Sequence, residues 1–246
     1  MNTPIRHRKG FTLIELLTVI AIIGILAAVL FPGVQGVMRS AKKNSALNKV
    51  RSIAQGYMNW AGGTKNIATG SWSSGKTQTT SISGYAAILA DGASLDSGEL
   101  WFVDADPAAD TITLMPKNVI TKTGTVVTVN STFATAFTQG KSAWDVYTPT
   151  SRSLVGSVTV PLAWSRGLKT DGTWPAAGTG AADSVWGAEG GHIAYGDGHV
   201  SWVSDTAVTG TGYFVKTTDG SPTANYKDTI PAASGSVPAA ALCSQN

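Results

Sequence analysis

From Phe11 to Phe31 the chain is apolar apart from two threonines and a glycine, and one ionisable side chain, Glu15, interrupts it. Twenty residues, Phe11 to Leu30, span about 30 Å as a helix, the thickness of a bilayer's hydrocarbon core. Beyond Pro32 the pattern changes. Val34, Val37, Met38, Ala41, Leu47, Val50, Ile53, Ala54, Tyr57 and Met58 recur mostly at three- and four-residue spacing. That stripe predicts one amphipathic helix continuing to about Trp60. Its first half is apolar all round and its second half on one face, so the helix changes solvent along its length. Pro32 and Gly33 predict a kink or an unwound turn between the halves.

The remainder alternates rather than repeating every three or four positions. Residues 61–84 are rich in Gly, Ser and Thr and read as loop. Strand-like runs follow at Thr111–Met115, Val119–Thr121, Val126–Val129, Leu154–Val160 and Tyr213–Lys216. Asp-Gly pairs at 91–92, 171–172, 197–198 and 219–220 mark turns. The clearest hairpin is GGHIAYGDGHVSWV, residues 190–203. The stretch from Thr229 to Asn246 reads as a fraying tail. Together these predict an α+β fold: a long amino-terminal helix packed on a mainly antiparallel sheet. The domains expected are 1–10 as a basic leader, 11–31 as a membrane helix, 32–60 as its amphipathic continuation and 61–246 as a β-rich globular part.

Charge changes this picture little. The formal charge is +3, but without Arg6, Arg8 and Lys9 the 18 basic residues fall to 15, equal to the 15 acidic ones. Nothing here argues for nucleic-acid binding. Arg39, Lys42, Lys43, Lys49 and Arg51 form a basic run, read either as a solvated helix face or as a surface for lipid headgroups or acidic neighbours. The cluster Arg6-His7-Arg8-Lys9 ahead of the apolar run predicts a cytoplasmic amino end and an outward carboxyl end. Cys243 is the one cysteine, which excludes an internal disulfide and a C-x-x-C motif.

A carboxylate at the bilayer centre costs roughly 2.5–3.5 kcal/mol on insertion scales, so Glu15 calls for a partner. The segment Lys9-Gly10-Phe11-Thr12-Leu13-Ile14-Glu15 resembles the processing site of type IV pilins and type II secretion pseudopilins. The resemblance covers roughly the first fifty residues. It implies cleavage by a prepilin peptidase between Gly10 and Phe11 and N-methylation of Phe11. It also implies that Glu15 faces the α-amine of a neighbouring subunit during assembly. Pro32 matches the family's helix-breaking proline, with Gly24 upstream. By the same resemblance the chain is a structural subunit and not an enzyme. It would sit in the inner membrane and then in a filament of itself or homologous pilins. The unpaired Cys243 favours a pseudopilus serving type II-like protein secretion over an adhesive pilus. The alternative is a membrane-anchored binding or enzymatic domain carrying a pilin-like leader.

Three further patterns carry candidate chemistry. Asp104, Asp106 and Asp110 in DADPAAD suit a hard cation such as calcium, although Pro107 and a missing glycine spoil an EF-hand, and a solvated turn is the plainer reading. His192, Asp197 and His199 are of metal-ligand type, and a two-residue turn would place both histidines on one face; a local hydrogen-bonded hairpin is the plainer reading. Gly70-Ser71-Trp72-Ser73-Ser74-Gly75-Lys76-Thr77 spells a phosphate-binding loop, but no strand feeds it, so no nucleotide is expected. No G-x-S-x-G elbow supports hydrolase chemistry. No cofactor is expected, calcium excepted.

Overall fold

The computed structural model describes residues 11–63, 81–124, 126–148, 156–204, 212–229 and 241–243. Two compact units divide the chain, 1–43 and 44–246. The first helix, α1 (Leu13–Gly63), supplies the described structure of the first unit and the opening of the second.

In the first unit every side chain from Phe11 to Phe31 is exposed. The helix assignment passes through Pro32 and Gly33 without a break, so of the expected kink or unwound turn, the unwound turn is not formed. A proline deletes one N–H from the ladder; the turns on either side keep their own bonds. The span is long and apolar enough to cross a membrane.

The second unit contains the core. Residues 44–63 of α1 bury Ala46, Val50, Ile53, Ala54, Tyr57 and Ala61; Val50, Ile53, Ala54 and Tyr57 belong to the expected stripe, while its Leu47 and Met58 are half-buried. Helix α2 (Ile82–Gly92) corrects the loop assigned up to residue 84. Ser81 caps it, its hydroxyl accepting the Gly84 N–H at 3.2 Å. Its Tyr85 stacks on Tyr57 of α1 at 5.8 Å between ring centroids. Strands β1 (Ile120–Thr123) and β2 (Val126–Val129) form the expected antiparallel hairpin. Helix α3 (Ser131–Gln139) follows, with the Asn130 side chain accepting the Thr132 and Phe133 N–H groups.

The main sheet has five strands in the order β6-β5-β4-β3-β9, every neighbour antiparallel. They are β3 (Trp144–Thr148), β4 (Pro161–Ser165), β5 (Gly191–Tyr195), β6 (Val200–Val203) and β9 (Ala241–Cys243). β4 and β5 are buried along their whole length, so both faces of the centre are covered. A small second ribbon pairs β7 (Phe214–Val215) with β8 (Pro222–Thr223).

Three strand assignments shift. Thr111–Met115 is a 3-10 turn and bends, not a strand. Residues 156–160 of the expected Leu154–Val160 strand are turn and bend, and β4 begins at Pro161, since a proline is tolerated at a strand's first position. The tail is not wholly frayed: Ala241–Cys243 pairs with β3 as an edge strand.

Candidate functional site

Glu15 has a partner inside its own chain. The Thr12 backbone N–H donates to Glu15 Oε2 at 2.9 Å and the Thr12 hydroxyl donates to the same oxygen at 2.7 Å. The Glu15 N–H donates back to Thr12 Oγ1 at 3.3 Å. This is a capping box, and Thr12-Leu13-Ile14-Glu15 spells its S/T-x-x-E signature. The signal was legible in the sequence beside the pilin motif and was missed. Phe11, one residue before the cap, is largely exposed at 78%. Gly10 lies outside the described residues, as does the phosphate-loop pattern at 70–77. A Cβ at Gly24 would meet nothing within 4 Å, and α1 continues through it.

The aspartates of DADPAAD are not gathered around a common point. Asp106 is buried, and both its oxygens bind the guanidinium of Arg166, Oδ1 to Nη2 at 2.7 Å and Oδ2 to Nη1 at 2.9 Å. Burial pushes its carboxyl above the usual range, and the Arg166 charge opposes that rise. Arg166 uses all five of its donors. Nε binds the Asp183 carbonyl at 3.0 Å, Nη1 also binds the Ser142 carbonyl at 3.1 Å, and Nη2 also binds the Gly178 carbonyl at 3.1 Å. One buried side chain thus ties three loop segments, around Asp106, Ser142 and 178–183, to the end of β4. Asp145 on β3 lies in the same field. Burial raises its pKa to about 7, while Arg166 and the Gly167 N–H pull it down. Sequence reasoning missed Arg166, whose one signal is a lone cation in the run VPLAWSRGL.

The hairpin separates its two histidines. Gly196-Asp197-Gly198 forms a three-residue turn, closed by Tyr195 N–H to the His199 carbonyl at 3.0 Å and Gly198 N–H to the Tyr195 carbonyl at 3.0 Å. His192 therefore pairs with Trp202 and shares a face with Ala194 and Val200. His199 falls on the other face, since one residue of register inverts every side chain. His192 is buried, edge-on to Trp202 at 4.8 Å. His199 stacks on Tyr195 at 4.2 Å with the rings 7° apart, and its Nδ1 lies 2.6 Å from Asp197 Oδ1. Burial nudges Asp197 upward, but the His199 backbone N–H and ring outweigh it and hold the carboxyl below its usual range. Among the described residues no group of three or more His, Cys, Asp or Glu side chains could hold a metal ion.

A membrane-length apolar helix with a capping carboxylate in its first turn, followed in the chain by an antiparallel α+β unit, is a pilin-like fold. Residues 5–31 match the family model for the prokaryotic N-terminal methylation motif. The chain is also similar to the type IV major fimbrial protein FimA of Dichelobacter nodosus, 34% identical over 96 residues. That match covers 33% of this chain and 60% of the relative. No solved structure matches the chain.

Proposed function

We propose that this protein is a structural subunit of a pilin-like filament, made as a precursor and cut between Gly10 and Phe11. One observation carries the reading: the methylation motif of residues 5–31 runs directly into an exposed, membrane-length apolar helix. The precursor waits in the inner membrane with its basic leader inside and residues 44–246 outside. Cleavage by a prepilin peptidase frees an α-amine at Phe11, which is then methylated. As subunits leave the bilayer, Glu15 exchanges its Thr12 contacts for the amine of a neighbour. A carboxylate and an ammonium that are each costly to bury neutralise one another, and their pairing selects the axial register. Head-to-tail contacts that do not close are what a helical fibre requires. The subunit does no catalysis, and energy for assembly comes from a separate cytoplasmic motor. The finer assignment, a pseudopilin of a type II-like secretion system, rests on the single Cys243, since a paired-cysteine loop cannot form.

Mass spectrometry of the intact membrane-extracted protein and its amino-terminal peptide tests this. The expected mature chain begins at Phe11 with one added methyl group. An uncut Met1, or a terminus near Ala28, would overturn the reading and leave a plain anchored or secreted domain.

A further inference from the structure

The face of the hairpin that carries Tyr195 and His199 forms one wall of a cavity that the filament reading does not use. It holds about 140 Å³ and is lined by Thr159, Tyr195, His199, Tyr213, Phe214 and Val215. Val158 completes the rim and is 61% exposed. The wall is rigid. Gly196 N–H donates to the Val160 carbonyl at 3.0 Å and Gly156 N–H to the Gly196 carbonyl at 2.7 Å, so the turn is bonded to the segment opposite. His199 is held by its ring stack, by its backbone N–H to Asp197 Oδ1 at 3.0 Å and by Nδ1 to the same oxygen. Among the described residues its Nε2 has no partner, and its side chain is 43% exposed. The Tyr213 side chain borders the cavity beside Tyr195 and is itself exposed. Thr159 adds a hydroxyl, 3.1 Å from that of Ser157.

The chemistry of the wall narrows the ligand. Among the described residues no lysine or arginine lines the cavity, and the carboxylate of Asp197 is bonded to His199 in its wall, which disfavours an anion. The volume lies well below the roughly 300–1,000 Å³ of pockets for drug-sized ligands, which excludes a nucleotide. Tyr195 and Phe214 are buried, so the exposed Tyr213 ring and the outer face of His199 supply flat surface for C–H groups, and the Tyr213 and Thr159 hydroxyls with an oriented imidazole supply neutral donors and acceptors. We propose that this cavity binds a single neutral sugar unit, as found at the end of a surface or extracellular glycan. The ring's C–H face lies against the aromatic wall, and its hydroxyls bond to His199 Nε2, Tyr213 and Thr159. The inference goes beyond the filament reading and holds whether or not the subunit polymerises.

Saturation-transfer NMR on the full chain, in a detergent without a sugar headgroup, tests it. The probes are the methyl glycosides of glucose, galactose, mannose and N-acetylglucosamine. At least one is expected to bind at roughly millimolar strength, with the strongest transfer at its ring C–H protons. His199→Ala should weaken that binding about tenfold. Tyr213→Phe keeps the ring and removes the hydroxyl, so it should fold as the parent does and still lose affinity. Transfer to none of the four glycosides would overturn the proposal. So would binding that both variants leave unchanged, or selective binding of a proline or indole amide in place of the sugars.

Discussion

Replacing Arg166 by Met should be among the most damaging single changes in residues 44–246. The guanidinium is fully buried, as is its partner carboxylate. Removing it leaves Asp106 the Ala108 N–H at 3.0 Å. Breaking one side of a buried ion pair costs roughly 3–5 kcal/mol. The carbonyls of Ser142, Gly178 and Asp183 also lose a donor, at roughly 1–3 kcal/mol for each that stays dry. A loss of at least about 4 kcal/mol is therefore expected, a large share of a domain's usual ~5–15 kcal/mol. Urea unfolding followed by tryptophan fluorescence measures it, with Trp164 two residues away as a reporter. The double variant Asp106→Leu, Arg166→Met separates the contributions. It should recover the stranded-charge penalty but not the carbonyl losses, and so fall between the single variant and the parent. A single variant within about 1 kcal/mol of the parent would refute the reasoning, because surface ion pairs contribute no more than that. Full recovery in the double variant would show that the three carbonyls find water and that Arg166 is not a clip.

Further outcomes are expected. Glu15→Val should abolish incorporation into filaments, read by shearing and electron microscopy, and wild-type-like assembly would count against the charge-pairing step; Thr12→Ala should cost the helix start about 0.5–2 kcal/mol, read as lost amide protection from hydrogen exchange over the first turn. Asp145 has a folded pKa of about 7 against 3.8 for the free group, so the folded state holds the extra proton between these values. The stability this contributes is full below pH about 4 and is lost as pH rises through about 7, a decline on the order of 2–4 kcal/mol that Asp145→Asn should flatten in a urea series across that range. Lys49 donates to the carbonyls of Glu99 at 3.0 Å and Phe102 at 2.7 Å, and Lys49→Met should cost about 1.5–3 kcal/mol in the same unfolding assay. At Gly190, φ is 115° and a Cβ would collide with the Val203 carbonyl oxygen, so Gly190→Ala should lower the yield of folded protein and destabilise what remains by at least about 1–3 kcal/mol.

The membrane-length helix, the stripe from Val50 to Tyr57, the β1–β2 hairpin and the Gly10–Phe11–Glu15 motif were all legible in order along the chain. Each is a local statement. Periodicity and length depend on neighbours three or four residues apart, and the motif is contiguous. The Thr12–Glu15 cap belongs with them, since its whole geometry lies within four residues. What sequence reading could not reach depended on distance or on a single residue of register. Asp106 and Arg166 stand 60 positions apart, and their bidentate pairing turns a candidate calcium turn into an anchor for three loop segments. The extra residue in the Gly196-Asp197-Gly198 turn moves His199 off the face of His192, and with it the metal reading gives way to an aromatic cavity. The tail strand Ala241–Cys243 exists because β3 offers an unpaired edge, which no pattern in an Ala-, Ser- and Pro-rich tail reveals. Local spacing decides which elements form. Burial and register, which act between segments far apart in the chain, decide which side chains meet.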